Sequence, residues 1–211
     1  MTPPHTKSSG IFTIGHSSLD LGDFVAVLAN HEIRLVCDVR SCPGSFRFPQ
    51  FNREPLEACL ASAGLQYKFL GETLGGRPSD PRVYNADGIV NYEERRNAAD
   101  FHAGIDQALE LCRASNIALM CAEEDPLQCH RFLMICPALL ERGVTPLHIR
   151  RGGELESQRE AEDRLLKLHD LAAFDSASLF VSERNMALQD ALRRQAQEFA
   201  FRASPEAIEY F

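Results

Sequence analysis

Residues 121–131 read CAEEDPLQCHR and bring two thiols, three carboxylates, an imidazole and a guanidinium together directly after the apolar run IALM. Such groups can carry nucleophilic, proton-transfer and anion-binding chemistry. We predict that Cys121 ends a buried strand, that AEEDP forms a turn, and that QCHR begins a helix. Backbone amides at a helix N-terminus lower the pKa of a thiol. Cys129, beside His130 and Arg131, is therefore expected to be a thiolate at neutral pH.

Each of these side chains also has a structural interpretation. Free cysteine is often a small buried residue, which would explain both Cys121 and Cys129. Arg131 could pair with Glu123 or Asp125 instead of binding a substrate. Glu123 is a candidate general acid or base only where it is desolvated, because most carboxylates in turns are solvated. The motif by itself does not decide between a catalytic and a structural role for any of these residues.

A second segment, RSCPGSFRFPQFNR at residues 40–53, carries three arginines and three phenylalanines and no acidic residue. Guanidinium groups bind phosphates and aromatic rings stack on bases, so this segment favours a nucleotide or a nucleic-acid end as the ligand. Arg40 and Arg47 are the candidate ligand-binding residues here, and Arg77 in LGGRP adds a third. The alternative is a loop whose phenylalanines pack on the core while its arginines reach solvent.

Metal binding is a separate alternative. The residues that could supply ligands are His16, Cys121, Cys129, His130 and His148, but the chain contains neither Cys-x-x-Cys nor His-Glu-x-x-His. It also lacks Gly-x-Gly-x-x-Gly and a Walker-type phosphate loop, which argues against a dinucleotide cofactor and against nucleotide hydrolysis by that route. We predict no cofactor and assign no metal ligands, and a metal site remains the lesser alternative.

Short apolar runs alternate with amphipathic stretches along the chain. Strands are predicted at 11–15, 33–39, 67–70, 117–121 and 145–149, and helices at about 21–30, 53–63, 92–114, 127–142, 155–171 and 183–200. This alternation predicts an α/β fold: a mainly parallel sheet flanked by helices on both faces, Rossmann-like and three-layered. We expect residues 11–171 to form the α/β domain and 172–211 a C-terminal helical appendage, in which Ser204 is a candidate N-cap before Pro205.

Ligands of open parallel sheets bind beyond the carboxyl ends of the strands, where the loops converge. A polar or reactive group follows every predicted strand, and although any one of them could serve as a turn or helix cap, their convergence predicts a single site at this edge of the sheet. The candidate catalytic residues are Cys121, Cys129, His130, His16 and Glu123. The candidate substrate-binding residues are Ser17, Asp38, Arg40, Arg47, Arg77 and Arg131.

The composition limits the kinds of partner. With 211 residues, 45% of them hydrophobic, the chain can bury a core without disulfides. A net charge of -8 argues against a general attraction to nucleic acid or anionic membrane, so any anion site must be local. Seven cysteines and an N-terminus without a secretory signal favour a cytoplasmic protein. No apolar run reaches the roughly 20 residues of a spanning helix. We expect a small anionic ligand or a nucleic-acid end as partner, no membrane contact, and a homo-oligomer through the C-terminal helix as a further option.

Five segments in a fixed order resemble a bacterial and archaeal family known only as domain of unknown function family 488: TIGHSS (13–18), DVRSCPGSFRFPQF (38–51), LGGRP (74–78), CAEEDPLQCHR and LHI (147–149). The resemblance covers about residues 11–170. It implies an α/β domain with a parallel sheet in a cytoplasmic protein, and it brings no reaction. The family often has Ser-Arg after the proline of the second segment, whereas this chain has Ser45 and Phe46 with Arg47 one place later. The motif positions in this chain are His16, Ser17, Asp38, Arg40, Pro43, Phe51, Gly75, Gly76, Cys121, Glu123, Cys129, His130 and Arg131.

We interpret the chain as a thiol-dependent enzyme that acts on an anionic, phosphate-bearing substrate such as a nucleotide or a nucleic-acid end. The roles in this hypothesis are a nucleophile or redox thiol (Cys129 or Cys121), a proton carrier (His130 or His16), an anion clamp (Arg40 and Arg131) and an orienting carboxylate (Asp38 or Glu123). The first alternative is a module that binds a nucleotide or a single strand without chemistry. The second is a metal-binding protein.

Overall fold

The computed structural model of the chain describes residues 9–171 and 181–204. The strands are β1 (Ile11–Gly15), β2 (Ile33–Asp38), β3 (Gln66–Phe69), β4 (Asn116–Cys121), β5 (Leu147–Ile149) and β6 (Leu155–Ser157). The α-helices are α1 (Leu21–Asn30), α2 (Arg53–Ser62), α3 (Gly71–Leu74), α4 (Tyr92–Arg96), α5 (Ala99–Cys112), α6 (Cys136–Glu141), α7 (Gln158–Leu168) and α8 (Val181–Phe199).

The six strands form one sheet in the order β3-β2-β4-β1-β5-β6. The first five strands are parallel to their neighbours, and β6 pairs antiparallel with β5 at one edge. Helices cover both faces of the sheet, and the strands β1, β2 and β4 have residues buried on both sides. The prediction of a mainly parallel, three-layered α/β fold with a C-terminal helical appendage is confirmed.

The two hydrophobic cores follow from the alternation of side chains along the strands. In β4, Ile117, Leu119 and Cys121 face the core that contains α5, α6, α7 and α8, whereas Ala118 and Met120 face the core that contains α1 and α2. Cys121 is therefore the last residue of a central strand, turned toward the face on which the chain continues after β4. This orientation places its thiol under the segment that carries Cys129 and His130.

Three predicted helices differ from the observed elements. The segment predicted as a helix from 155 begins with β6, because residues 155–157 pair with β5, and a capping box between Ser157 and Glu160 starts α7 only at Gln158. The helix predicted over 92–114 is divided into α4 and α5 by the extended backbone of Ala98. The helix predicted over 127–142 is divided into a 3-10 turn at Pro126–Gln128, a π turn at Arg131–Ile135, and α6.

The sheet order brings the exits of β1, β2 and β4 side by side. Hydrogen bonds continue beyond the strand ends, from the His16 amide to the Cys121 carbonyl (2.9 Å) and from the Val39 amide to the Met120 carbonyl (3.0 Å). The chain then leaves β1 and β2 for the α1–α2 face, but leaves β4 for the opposite face. A crevice opens where connections diverge in this way, at the carboxyl ends of the strands.

The C-terminal appendage packs on the domain itself. Helix α8 buries Ala187 and Ala191 in the core that contains α5 to α7. Beyond the helix, the chain pairs with the 84–90 loop through the Val90 amide and Phe201 carbonyl (3.0 Å) and the Ala203 amide and Gly88 carbonyl (2.9 Å). The prediction of a cap at Ser204 concerns a turn beginning at Pro205, which lies outside the described residues. Within the described segments, no helix combines the length and the apolar character needed to cross a membrane.

Gly15 and Gly22 form a matched pair for testing how closely β1 approaches the turn after β4. A Cβ atom on Gly15 would overlap the Glu123 carbonyl oxygen, which belongs to the backbone and cannot rotate away, whereas a Cβ atom on Gly22 in α1 would meet nothing within 4 Å. We expect Gly15→Ala to lower the free energy of unfolding by about 3 kcal/mol or more. We expect Gly22→Ala to raise it by up to about 1 kcal/mol, because alanine favours a helix over glycine. Urea unfolding followed by circular dichroism measures both, and a Gly15→Ala variant as stable as the wild type would contradict the close approach.

Candidate active site

A cleft of about 320 Å³ lies in the crevice at the carboxyl ends of the strands. This volume is at the lower end of the roughly 300–1,000 Å³ that small-molecule sites occupy. Side chains from the exits of β1, β2 and β4 and from the start of the next helical segment line its floor. They are His16, Arg40, Cys121, Glu123, Cys129 and His130. The structure therefore brings to one cleft all five candidate catalytic residues and two candidate substrate-binding residues, Arg40 and Arg77.

His130 lies between the two cysteines at the floor of the cleft. Its Nδ1 atom is 3.6 Å from Cys121 Sγ and 3.7 Å from Cys129 Sγ, and its Nε2 atom is 2.9 Å from the Val39 carbonyl oxygen. A carbonyl only accepts hydrogen bonds, so Nε2 carries a proton. Nδ1 is then free either to accept a proton from a thiol or to donate one to a thiolate. The imidazole is oriented for proton exchange with either sulfur.

Cys129 is the thiol that this environment ionises. It has an extended backbone just before the helical segment, and its carbonyl accepts hydrogen bonds from the amides of Phe132 and Leu133, as an N-cap residue does. Burial opposes ionisation, but a hydrogen bond with Cys121 and the positive charges of Arg131 and His130 outweigh it and lower the pKa of Cys129 well below its usual range. The expectation of a thiolate at this position has a physical basis in these contacts.

The charge on Cys129 affects the groups beside it. Burial disfavours the imidazolium form of His130, but the negative charge of the Cys129 thiolate outweighs burial and raises the pKa of His130. The hydrogen bond with Cys129, together with burial, raises the pKa of Cys121 well above its usual range. The site is therefore asymmetric: its contacts lower the pKa of the Cys129 thiol and raise the pKa of the Cys121 thiol.

Glu123 lines the cleft, and although the residue as a whole is exposed, its carboxylate contacts a thiol. Its Oε2 atom accepts a hydrogen bond from Cys121 Sγ at 3.0 Å. Burial of the carboxylate and the nearby negative charge of Cys129 raise the pKa of Glu123. The next two acids have structural roles, because Glu124 pairs with Arg150 and Asp125 pairs with Arg164. Of the three carboxylates in the motif, only Glu123 faces the thiols.

Arg131 stabilises the turn from below and does not line the cleft. The residue is 1% exposed, and its two terminal nitrogens donate 2.6 Å hydrogen bonds to the carbonyls of Glu123 and Glu124. Among the described residues, its Nε has no hydrogen-bond partner. The predicted role in binding the substrate is not supported by this position, and no carboxylate of Glu123 or Asp125 pairs with it. Its charge acts at short range on Cys129 instead.

Arg40 is held in place by a buried carboxylate. Asp38, completely buried, accepts hydrogen bonds from Arg40 Nε (2.9 Å) and Arg40 Nη2 (2.6 Å), and from the hydroxyl of Tyr67 (2.8 Å). Arg40 Nη2 also donates to the Phe51 carbonyl, while Nη1 faces His16 Nε2 at 3.2 Å. Asp38 holds the guanidinium from behind, and Arg40 lines the cleft although it is only 6% exposed.

His16 is a neutral acceptor in this arrangement. Its Nδ1 is 3.0 Å from the carbonyl of its neighbour Ser17 and must carry the proton, so its Nε2 accepts a hydrogen bond from Arg40. Its ring stacks on Phe51 with centroids 4.2 Å apart. Burial, opposed in part by the Ser17 hydrogen bond, lowers the pKa of His16 to about 4. Because its ring nitrogens are engaged, His16 supports Arg40, and His130 is the better placed proton carrier.

The mouth of the cleft combines a cation with aromatic rings. Arg77 is exposed, its guanidinium lies 4.7 Å from the centre of the Phe201 ring, and its amide donates to Ser41 Oγ at 2.9 Å. The backbone of Gly76 approaches His130 so closely that a Cβ atom would lie 2.8 Å from the imidazole. Phe199 also lines the cleft. The LGGRP loop therefore packs on His130 and presents Arg77 to an incoming ligand.

Three other predicted residues lie apart from the cleft lining. Arg47 is exposed and stacks over the ring of Phe48 at 5.3 Å. Ser17 adopts a left-handed backbone with φ 47° and pairs through its amide with the Ala122 carbonyl (2.9 Å). Asp38 acts through Arg40. Sequence reasoning missed Tyr92, Ser41, Phe199 and Phe201, which also line the cleft. It considered the residues directly after each strand, and none of these four is in such a position.

The five residues considered as metal ligands do not come together. Cys121, Cys129 and His130 have ligand atoms within 4.8 Å of one another, which is the one such group in the described part of the chain. His148 lies elsewhere: Thr13 and Gln158 hydrogen-bond its two nitrogens at 2.8 and 3.1 Å, and burial lowers its pKa to about 4. With His16 engaged by Arg40, three of the five candidates remain close enough to share one ion.

Comparison with known proteins gives one match. A family model described as "Domain of unknown function DUF488" matches residues 20–135, which is more than half of the chain. The matched region contains Arg40, Arg77, Cys121, Cys129 and His130. No curated protein and no solved structure matches the chain.

Alkylation with iodoacetamide as a function of pH tests the thiolate at Cys129. The background variant Cys42→Ser/Cys59→Ser removes the two cysteines that are not buried. In this background we expect one thiol to react with an apparent pKa well below the roughly 8.5 of a free cysteine. Cys129→Ser should abolish this reaction, and Cys121→Ala should shift it to higher pH by removing the stabilising hydrogen bond. Cys136→Ser is the matched control, because that buried cysteine follows the same helical segment without facing the cleft. A midpoint at about 8.5 or above would rule out the ionised thiol.

Proposed function

The chain belongs to the family described as domain of unknown function DUF488, and from the geometry of its cleft we propose that it is a thiol-dependent enzyme acting on an anionic, phosphate-bearing substrate. Cys129 is the nucleophile, His130 exchanges the proton, and Arg40 with Arg77 binds the anion. A nucleotide or a nucleic-acid end has the required chemistry. The observation that carries this proposal is the contact of His130 Nδ1 with Cys129 Sγ, with the opposite nitrogen fixed by Val39.

The nucleophile and the proton carrier form a pair that suits covalent catalysis. A thiolate attacks an electrophilic atom of the substrate, and the leaving group departs with the bonding electrons and takes the proton from His130 Nδ1. His130 is then neutral and can accept a proton from water that attacks the adduct. The fixed charge of Arg131 remains beside the sulfur through both steps and favours the thiolate as the leaving form.

The distribution of charge supports an anionic substrate. The chain carries a net charge of -8, yet Arg40 and Arg77 line this cleft together with the hydroxyl-bearing residues Ser41 and Ser45. Guanidinium groups bind phosphate oxygens in a fixed planar geometry, and local cations at a cleft raise the concentration of anions there. The aromatic rings of Phe199 and Phe201 beside them suit a planar base attached to the phosphate.

Calorimetric titration with adenosine 5′-monophosphate and with inorganic phosphate tests the anion site. Arg77→Gln removes an exposed cation that has no carboxylate partner among the described residues, and should weaken binding about tenfold, the effect of a charge-assisted hydrogen bond. The matched control is Arg82→Gln, because Arg82 is 87% exposed and pairs with Asp80 away from the cleft. Equal affinities for the two variants would contradict the assignment of Arg77.

Phosphorus NMR separates an enzyme from a module that only binds. Nucleoside mono-, di- and triphosphates and oligonucleotides with a 3′ or 5′ phosphate are incubated with wild type and with Cys129→Ser. We expect a spectral change in one of these substrates with the wild type alone, while calorimetry shows that the Cys129→Ser variant still binds this substrate. Binding without any change in the spectra would favour the binding module, and a change that survives in Cys129→Ser would remove Cys129 from the role of nucleophile.

Metal analysis by mass spectrometry on protein purified without a histidine tag addresses the other alternative. The short distances among Cys121, Cys129 and His130 would also suit one ion with sulfur and nitrogen ligands. Because the proposed enzyme needs a free thiolate, we expect far less than one metal ion per chain. One zinc per chain, together with low thiol reactivity that rises when a chelator is added, would contradict the proposed enzyme and support a metal-binding protein.

A further inference from the structure

We propose that Cys121 is a resolving thiol: it attacks a mixed disulfide on Cys129, releases the bound thiol, and closes a disulfide between the two cysteines. This inference rests on the proposed function, because it needs Cys129 as the nucleophile. It adds a second activity to the site, namely the reduction of a low-molecular-weight disulfide by a pair of protein thiols. It also gives roles to Cys121 and Glu123 that the single-nucleophile mechanism leaves unused.

The two sulfurs are placed for this reaction. Cys121 Sγ and Cys129 Sγ belong to a group of ligand atoms within 4.8 Å of one another, and a disulfide needs about 2.05 Å between its sulfurs, so the approach required is less than about 3 Å. Cys121 ends a central strand and is held by the sheet, whereas Cys129 lies between a 3-10 turn and the π turn. The sulfur that has to move is therefore on the irregular segment.

Glu123 is positioned to take the proton from Cys121. Its Oε2 accepts the hydrogen bond from Cys121 Sγ at 3.0 Å, and this carboxylate forms no salt bridge with any described arginine, lysine or histidine, in contrast to Glu124 and Asp125. A thiol must lose its proton before it can attack a disulfide. A carboxylate in contact with the thiol and without a competing cation is suited to this transfer.

The reaction balances in two steps. The Cys129 thiolate attacks one sulfur of a disulfide R–S–S–R, which forms the Cys129–S–S–R bond and expels one thiolate, R–S⁻. Cys121 then gives its proton to Glu123 and attacks Cys129 Sγ, which forms the Cys121–Cys129 disulfide and expels the second R–S⁻. Two protein thiols are oxidised by two electrons, and one small disulfide is reduced to two thiols.

The other cysteines do not offer this geometry. Cys37 and Cys112 lie in the core, and Cys136 is fully buried behind the π turn. Cys42 lines the mouth of the cleft but has no described contact with Cys129. Cys59 lies on α2, on the opposite face of the sheet from Cys129. Removing Cys42 and Cys59 therefore leaves the proposed pair intact and removes the accessible competitors.

The reagent 2,2′-dipyridyl disulfide, which is small and uncharged, tests the proposal, since each pyridine-2-thione released is read from its absorbance. In the Cys42→Ser/Cys59→Ser background, we expect two releases per chain and a final mass two hydrogens below that of the reduced protein. With Cys121→Ser added, we expect one release and a stable pyridyl adduct on Cys129. With Cys129→Ser added, the fast release should be lost. Peptide mapping after digestion identifies the Cys121–Cys129 disulfide in the background protein.

The outcomes distinguish the resolving role of Cys121 from the nucleophilic role of Cys129. A stable adduct on Cys129 in the background protein would overturn the resolving role and leave the proposed function standing, whereas no release from Cys129 would overturn both. Cys121→Ala is the second variant if the serine disturbs the strand end, and circular dichroism verifies that either one is folded. Glu123→Gln should slow the second release by at least about tenfold while the first is unchanged. An equal effect on both releases would remove Glu123 from the role of base.

Discussion

The hydrogen bond from His130 Nε2 to the Val39 carbonyl fixes the arrangement on which the rest of the site depends. It joins the exit of β2 to the segment after β4, and these two places are neighbours only because β2 and β4 pair in parallel. The bond determines which nitrogen carries a permanent proton, and it leaves Nδ1 between two sulfurs. The lack of a side chain on Gly76 allows the LGGRP loop to close over the ring. Without this anchor the imidazole could rotate away from both thiols.

Because the site is buried, any charge in it needs an opposite charge or a hydrogen bond close by. A thiolate removed from water is costly unless opposite charges and hydrogen bonds replace its hydration. Cys129 has both, from Arg131, His130 and Cys121. Two arginines have different tasks: Arg131 lies beneath the turn and opposes the charge of the sulfur, while Arg40, which is also buried, lines the cleft with its Nη1 atom facing His16. In the proposed function, an anion that binds at Arg40 leaves in place the counter-charge that Arg131 supplies to Cys129.

Much of the fold was predictable because strong apolar periodicity marks β1, β2 and β4, and because parallel strands bring their exits together. The order of the strands was not, since it depends on long-range pairing. Strand β6 was missed because three residues with one buried side chain carry no period. In the site, the residue types indicated Cys129 and His130. The orientation of the Arg131 side chain was not predictable, because it depends on backbone carbonyls that come together only in the folded turn. Tyr92 and Phe201 were missed because they come from segments that follow no strand.

The floor of the cleft and the aromatic rings at its mouth come from different parts of the chain. The positions of Cys121, Cys129 and His130 depend on β2, β4 and the segment after β4, which are within the region of the family match. Phe199 and Phe201 come from α8 and the residues after it, outside that region, and the Phe201 carbonyl accepts a backbone hydrogen bond from Val90 in the 84–90 loop. Helix α8 also contacts the floor directly, because Gln195 Nε2 donates a 3.0 Å hydrogen bond to the carbonyl of Leu127, two residues before Cys129. In the proposed function, a change at the mouth that alters which ligand fits would therefore also reach the segment that carries Cys129.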